Sequence, residues 1–460
     1  MRCCLAASLL CTIFGSPIAN FLGPYGSATF VCFACFLVPA IIGWDWVNPL
    51  FLFTGHYLLS FGLYAYMSAF GRSHYLGADN PMLVHNSLAC VYAAGMLFAI
   101  YAGYLWRKRE NPKQINLEML PGILRAAKLA LFCAYVGALL MIRFQGGFSQ
   151  IGEDPAYVAT DGTTGLFWVQ ALIFPAQWAF VAHAFAYLRT KKSAYLKWAL
   201  LSLPIFAVDF LLSGSKAGIL MPFFGLLIVW HYCFRRLRWK QAAYAGLLVL
   251  LVFAAGYSYR AGSFGQGMSQ YASSPVSLAE TFVGRNYGTD SFAVILDAFE
   301  RNAEPKRWGS TFSDLLTWYI PRSWWPNKPL SYAIQFGVDF FPKAAGAGSV
   351  FYSPSLPGEF YLDFGLVGLI LGGLLFGYFL RWIAWKSINE MRWLIVYSVT
   401  ALLFAAFAEG PVSSQVELIA TRLIAFVSLL WVSKAVHRLL IAPGKESSMA
   451  PDKLAKGALS

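Results

Sequence analysis

The residues of this chain that could do chemistry sit in short stretches rich in glycine, proline and tryptophan. WYIPRSWWPNKP (318–329) places Arg322 and Lys328 among aromatic rings. Pro321, Pro326 and Pro329 keep the stretch extended and bar a long helix. Arginine grips a phosphate through two parallel N–H bonds, and lysine offers a point charge. One reading is a rigid loop that aims both cations at a phosphate while Trp324 and Trp325 face sugar rings. The other is an aromatic anchor at the membrane–water boundary. VGRNYGTD (283–290) sets Arg285 near Asp290, either as an anion contact beside a carboxylate or as a surface ion pair worth little. PSLPGEFYLDFGLVG (354–368) puts Glu359 and Asp363 at the start of an apolar run. Both suit a helix cap. Glu359, with Asp290 in reserve, also suits a general base that takes a hydroxyl proton.

Three further stretches add charge. LLSGSKAGIL (211–220) makes a tight turn that presents Lys216, with Asp209 just inside the preceding span. Intramembrane charges are functional candidates, although an Asp209–Lys216 pair would serve structure equally well. MIRFQGGFSQ (141–150) carries Arg143, and FAEGPVSSQVELIATRLI (407–424) carries Glu409, Glu417 and Arg422. Arg260 opens the long polar segment that holds Arg285 and Arg322. His56, His183 and His231 are single residues in apolar runs and read as core histidines. The eight cysteines show no metal-ligand or disulfide spacing, and the chain has no nucleophile elbow, P-loop or dinucleotide fingerprint. No metal and no cofactor are expected.

These stretches must be positioned by a membrane bundle. Of the 460 residues, 58% are apolar and 12% charged, against about 25% charged in a soluble domain. Many apolar runs reach the roughly 20 residues that cross a bilayer. Twelve spans are expected, near 3–21, 26–44, 50–70, 84–105, 120–142, 165–188, 196–213, 217–234, 241–259, 365–385, 392–408 and 417–436. The first reads as a helix or as a signal sequence. The fold class is an all-α polytopic membrane protein of about twelve transmembrane helices. It divides into an N-terminal bundle (1–259), one large periplasmic loop (260–364), a C-terminal trio (365–440) and a disordered cytoplasmic tail (441–460). Within the loop, SFAVILDAF (291–299) and TFSDLLTWYI (311–320) read as amphipathic helices. The net charge of +13 reads as basic cytoplasmic loops, not as a nucleic-acid surface. Clusters around 107–113, 189–197, 235–240 and 381–392 fall on one side, so the candidate residues gather on the other.

SGSKAG after a mid-chain span, YIPRSWWPNKP late in a large outer loop and PSLPGEFYLDFGLVG before the closing spans resemble the Wzy-type oligosaccharide repeat-unit polymerases, the O-antigen and exopolysaccharide polymerases of bacteria. RFQGGF fits the same pattern, and the resemblance runs from Arg143 to Arg422. It implies a multi-span, metal-independent glycosyltransferase of the inner membrane, acting at the periplasmic face. Such an enzyme moves a growing glycan from undecaprenyl pyrophosphate to a second lipid-linked repeat unit. The partners implied are undecaprenyl-pyrophosphate-linked oligosaccharides, the bilayer and a chain-length co-polymerase, with no nucleic acid. Arg322 and Arg285 would meet the pyrophosphate as catalytic cations, with Lys328, Arg260, Lys216, Arg143 and Arg422 as further contacts. The chain departs from the pattern of an arginine followed eleven positions later by glycine: Tyr271, Leu296 and Ala333 stand there after Arg260, Arg285 and Arg322. Related O-antigen ligases use a loop histidine, and 260–364 contains none. The alternatives are an O-antigen ligase-like or other lipid-carrier glycosyltransferase and, ranked below it, a transporter or flippase for lipid-linked oligosaccharide, a class marked by repeated halves and discontinuous helices.

Overall fold

The computed structural model describes residues 1–70, 83–106, 115, 118–144, 167–213, 216–260, 282–284, 286–302, 305–320, 324–325, 327–329, 331–341 and 353–440. They form a helical, multi-span membrane protein. Its helices are α1 (Arg2–Ile13), α2 (Gly15–Ile42), α3 (Pro49–Ala69), α4 (Leu83–Trp106), α5 (Leu120–Phe144), α6 (Ala171–Thr190), α7 (Ser193–Leu211), α8 (Lys216–Cys233) and α9 (Trp239–Arg260). After them come α10 (Gly288–Glu300), α11 (Tyr332–Phe340), α12 (Leu356–Asn389), α13 (Met391–Ala406) and α14 (Val412–Leu440). Helices prevail because hydrocarbon offers no partner to an exposed backbone N–H or C=O.

The spine of the bundle is the pair α4 and α12. A Cβ on Gly103 would lie 2.0 Å from the Leu374 carbonyl oxygen, and one on Gly377 would lie 2.0 Å from that of Ile100. Gly373 abuts Met96 and Ala99. Contacts therefore climb both helices in the same direction, so α4 and α12 run parallel. Small residues let two backbones approach in a solvent that does not itself drive apolar helices together. α4 is the most buried of the long spans. It also receives α1, through Cys11 and Thr12 against Gly95, and α2, through the Tyr101 hydroxyl donating to the Ala34 carbonyl at 3.0 Å.

Twelve crossings were expected, but eight helices among the described residues are long and apolar enough to cross a membrane: α2 to α7, α12 and α14. Shorter apolar helices account for part of the difference. α1 has 12 residues and α13 has 16, which at a rise of about 1.5 Å per residue is about 18 and about 24 Å against about 30 Å of hydrocarbon. The apolar part of α8, Gly218–Cys233, is similarly short. Hydropathy registers apolar residues but not whether a helix stays unbroken.

Breaks recur where the sequence is apolar throughout. α2 breaks at Gly23, just before Pro24. α3 passes through a π-helical turn at Leu58–Leu63. α12 breaks at Gly365, whose φ of +63° suits glycine, so its first two turns leave the axis of the rest. One end of the bundle collects basic residues. There the Tyr104 hydroxyl donates to Asn48, Arg381 lies 5.3 Å from the Tyr104 ring, and His231 meets Asp45 at 3.3 Å beside the exposed Arg235, Arg236 and Arg238. Among the described candidates, Asp290, Glu359 and Asp363 lie toward the opposite end.

Residues 288–300, from the segment read as an outer loop, pack into the bundle as α10. Phe292 and Ile295 are buried, with both in contact with Gly358 of α12 and Phe292 also near Tyr92 of α4. Residues 310–317 form a 3₁₀ turn followed by a single helical turn, not one amphipathic helix.

The glycine spine makes a direct prediction. Gly377→Val should destabilise the purified protein by about 3 kcal/mol through overpacking, whereas Gly246→Ala, with nothing within 4 Å of the added carbon, should leave it unchanged. Thermal unfolding in detergent measures both, and equal midpoints for the two variants would show that α4 and α12 are not close-packed at Gly377.

Candidate functional site

Glu359 and Asp363 stand one turn apart on the first two turns of α12, and so on one face. The helix starts here because the Ser355 side chain accepts the Gly358 N–H at 3.4 Å and Pro357 occupies the first turn. Neither carboxylate serves its own helix. Glu359 Oε2 accepts the N–H of Val412, the first residue of α14, at 2.6 Å. The joint is reinforced by Leu356 N–H donating to the Ala408 carbonyl at 3.4 Å and by the Ser353 hydroxyl donating to the Glu409 carbonyl. Glu359 is 0% exposed, and its Oε1 has no hydrogen-bond partner among the described residues. Asp363 accepts the Gly309 N–H at 2.9 Å and the Thr311 hydroxyl. It therefore caps the turn Ser310–Ser313 and pins it to α12. Neither carboxylate caps the start of α12, which Ser355 does; each accepts from another element instead, and Glu359 Oε1 makes no hydrogen bond among the described residues.

The tryptophan-rich stretch is fastened from inside. Lys328 Nζ donates to the carbonyls of Trp318 and Ile320, each at 3.2 Å, so it staples its own loop. Asp314 accepts the Tyr332 N–H at 2.5 Å. Arg307 pairs with Asp339 at 2.8 Å and lies 5.5 Å from the Tyr332 ring. Trp324 is 81% exposed, and Trp325 and Tyr319 are also exposed. These faces suit either sugar stacking or the membrane boundary.

Asp290 is held on both oxygens. The Tyr64 hydroxyl donates to one at 2.5 Å and Asn86 Nδ2 to the other at 3.1 Å. Its neighbour Thr289 donates to the Ser60 carbonyl at 2.8 Å, within the π-helical turn of α3. Asp290 thus locks α10 to α3 and α4, and it lies five residues before the Ile295 that contacts Gly358. Arg422 is buried on α14. Its Nη1 donates to the Val399 carbonyl at 2.8 Å and touches Met221 Sδ, its guanidinium is 4.8 Å from the Phe174 ring, and its Nε has no hydrogen-bond partner among the described residues. The attracting carboxylate is Asp209, which nestles against Gly218 at the start of α8. Arg143 is exposed in the last turn of α5. Lys216 opens α8 and Arg260 closes α9, but their side chains lie outside the described residues, as do Arg285 and Arg322 altogether.

His56, read from the sequence as a core histidine, has a charged partner. Its Nε2 lies 3.2 Å from Glu409 Oε2. The neighbouring Tyr57 hydroxyl reaches the Ala93 carbonyl at 2.8 Å, which sets the level of the pair about 15 Å from the Leu83 end of α4 and about 20 Å from its Trp106 end. The turn between α13 and α14 is therefore recessed within the bundle. The available signal was an ionisable residue in each of two apolar runs, but nothing in the sequence paired them. Among the described residues no three His, Cys, Asp or Glu side chains converge to hold a metal. Compared with protein-family models, curated proteins and solved structures, the chain matches none.

Two outcomes test this arrangement. Asp363→Ala should cost about 2 kcal/mol through the lost charge-assisted bonds and expose the 305–313 stretch to trypsin; unchanged cleavage would contradict the pinning. Burial pushes the Asp314 carboxyl above the usual carboxylate range, against the opposing effects of the Tyr332 N–H and Lys328. A group raised in this way favours folding below its unfolded pKa, about 3.9, and that contribution is lost as pH rises through the folded value. Asp314→Asn keeps an oxygen for Tyr332 and should therefore gain melting temperature over the wild type near pH 7 and much less near pH 4. A pH-independent difference would count against a buried, reluctant carboxylate.

Proposed function

We propose that the chain is a polysaccharide polymerase, a membrane glycosyltransferase that moves a growing glycan from undecaprenyl pyrophosphate to the sugar of a second lipid-linked repeat. One observation carries the reading: Glu359 sits at the junction of α12 and α14, fixed through one oxygen, with the other unpartnered. In the proposed step the acceptor hydroxyl gives its proton to Glu359 while its oxygen bonds the anomeric carbon of the donor glycan. The bond from that carbon to the pyrophosphate breaks, and the electron pair leaves with the pyrophosphate. Guanidinium groups offset the negative charge that develops there. Arg322 and Arg285 are assigned this role from the sequence, and Arg422 from its buried position on α14. Lys328, bonded to carbonyls of its own loop, holds the stretch that carries Arg322 and the tryptophans. The basic end of the bundle belongs in the cytoplasm on charge grounds. The recess then faces the periplasm of a bacterial inner membrane, and a chain-length co-polymerase is an expected partner.

A second reading, a transporter of lipid-linked oligosaccharide, draws on the broken helices: the π-helical turn of α3, the kink of α12 and the early end of α13. A strain lacking the gene separates the two. A missing polymerase leaves single repeat units on the carrier at the periplasmic face, whereas a missing transporter leaves them in the cytoplasm. Polymer of unchanged length would rule out the polymerase. In a reconstituted assay Glu359→Ala should lower polymer formation by about 10²–10⁴-fold, the usual contribution of a general base. Arg322→Lys should be as inactive as Arg322→Ala if a forked contact to phosphate is required.

A further inference from the structure

The joint between α12 and α14 leaves an unusual set of polar atoms without partners. Glu359 Oε1, Ser413 Oγ and Gln415 Oε1 are buried and make no hydrogen bond among the described residues, and the Tyr332 hydroxyl is in the same condition. The four residues lie on elements that meet at this joint. Val412, beside Ser413, is bonded to Glu359, and Tyr332 lies within the electrostatic reach of Glu359 and Asp363. Gln415 packs against Gly410 in the turn that precedes α14. Native proteins rarely leave such groups unsatisfied.

The chemistry of the set is directional. Glu359 Oε1 and Gln415 Oε1 accept hydrogen bonds, while Ser413 and Tyr332 can accept or donate. The other carboxylate of the recess, Glu409, is already engaged by His56 at 3.2 Å. What would satisfy the set is a neutral ligand with several O–H groups, each able to donate to one protein atom and accept from another. A phosphate, which only accepts, could use Ser413 and Tyr332 but would leave Glu359 Oε1 and Gln415 Oε1 unsatisfied. Exposed aromatic faces at Trp308, Tyr319 and Trp324 lie in the described part of the same segment, and such faces suit the C–H side of a sugar ring.

We infer that this recess is a saccharide site, in which Glu359, Ser413, Gln415 and Tyr332 bind hydroxyl groups of a sugar. The inference rests on the polymerase reading and adds to it the residues that receive the glycan. It separates this sugar contact from the phosphate contacts assigned to the arginines. Glu359 then has two tasks on two oxygens: Oε2 holds the start of α14, and Oε1 receives the sugar hydroxyl.

The test is lipid binding to the full-length protein in nanodiscs, with two probes: the undecaprenyl-pyrophosphate-linked repeat unit from the producing cell, and bare undecaprenyl pyrophosphate as internal reference. The wild type should bind the glycan-bearing lipid at least tenfold more tightly than the bare one. Glu359→Gln can keep an oxygen on the Val412 N–H while placing an N–H donor where the sugar hydroxyl would donate. Together with Gln415→Met, it should reduce that preference about tenfold. Thermal midpoints matching the wild type show that each variant is folded, and Ser413→Ala offers a smaller change should either fail. Equal affinity of the wild type for both lipids, as expected if the recess held water only, overturns the inference. So does a preference that survives all three substitutions. Polymer formation is measured separately. Polymer without the preference leaves the polymerase reading standing and removes the saccharide site. The preference without polymer keeps the site and removes the polymerase.

Discussion

A carboxylate withdrawn from water must find N–H or O–H donors, and the donors that Glu359 and Asp363 find belong to other parts of the chain. Glu359 takes the first N–H of α14, and Asp363 takes the Gly309 N–H and the Thr311 hydroxyl. Both helix-start N–H groups would otherwise stay unpaired away from solvent. The start of α12 is thereby the point where the last span, the 310–313 turn and the bundle are joined. The break at Gly365 makes this possible, because it turns the two carboxylate-bearing turns away from the line of the span below.

Below that junction the α4–α12 pair supplies a rigid base. Carbonyl oxygens of one helix lie against the glycines of the other, leaving no room for side chains between the backbones. The same rigidity reaches the segment between the spans through acidic residues. Asp290 ties α10 to α3 and α4, Asp314 ties the tryptophan-rich stretch to α11, and Asp339 holds Arg307. Several charges that resemble ligand contacts when read along the chain are fasteners in three dimensions. Lys328 is the clearest, since both of its carbonyl partners lie within ten residues of it.

The recess exists because helices stop or bend within the bundle. α13 ends at Ala406, level with the His56–Glu409 pair, and α14 starts six residues later under the cap provided by Glu359. A turn at that depth must satisfy its backbone locally. Ser353, Leu356 and Glu359 do this from α12 and the residues just before it. The polar atoms left without partners on α12 and α14 are a consequence of that construction.

The amino-acid pattern alone specifies lipid as the main solvent and helix as the main secondary structure. Long apolar runs with few charges must become helices in lipid, and the positions of α4 and α5 follow from them within a few residues, whereas α12 starts nine residues before the run expected at 365–385. It also marked Glu359 as a helix-start carboxylate worth watching. It did not determine the number of long spans, because α1, the apolar part of α8 and α13 are each shorter than the apolar runs that hold them. Nor could it assign partners. Asp290 with Tyr64 and Asn86, His56 with Glu409, and Glu359 with Val412 are separated by 53 to 353 residues. Those pairs are set by the fold, because a hydrogen bond depends on where the helices bring two groups, and a linear pattern carries no record of that meeting.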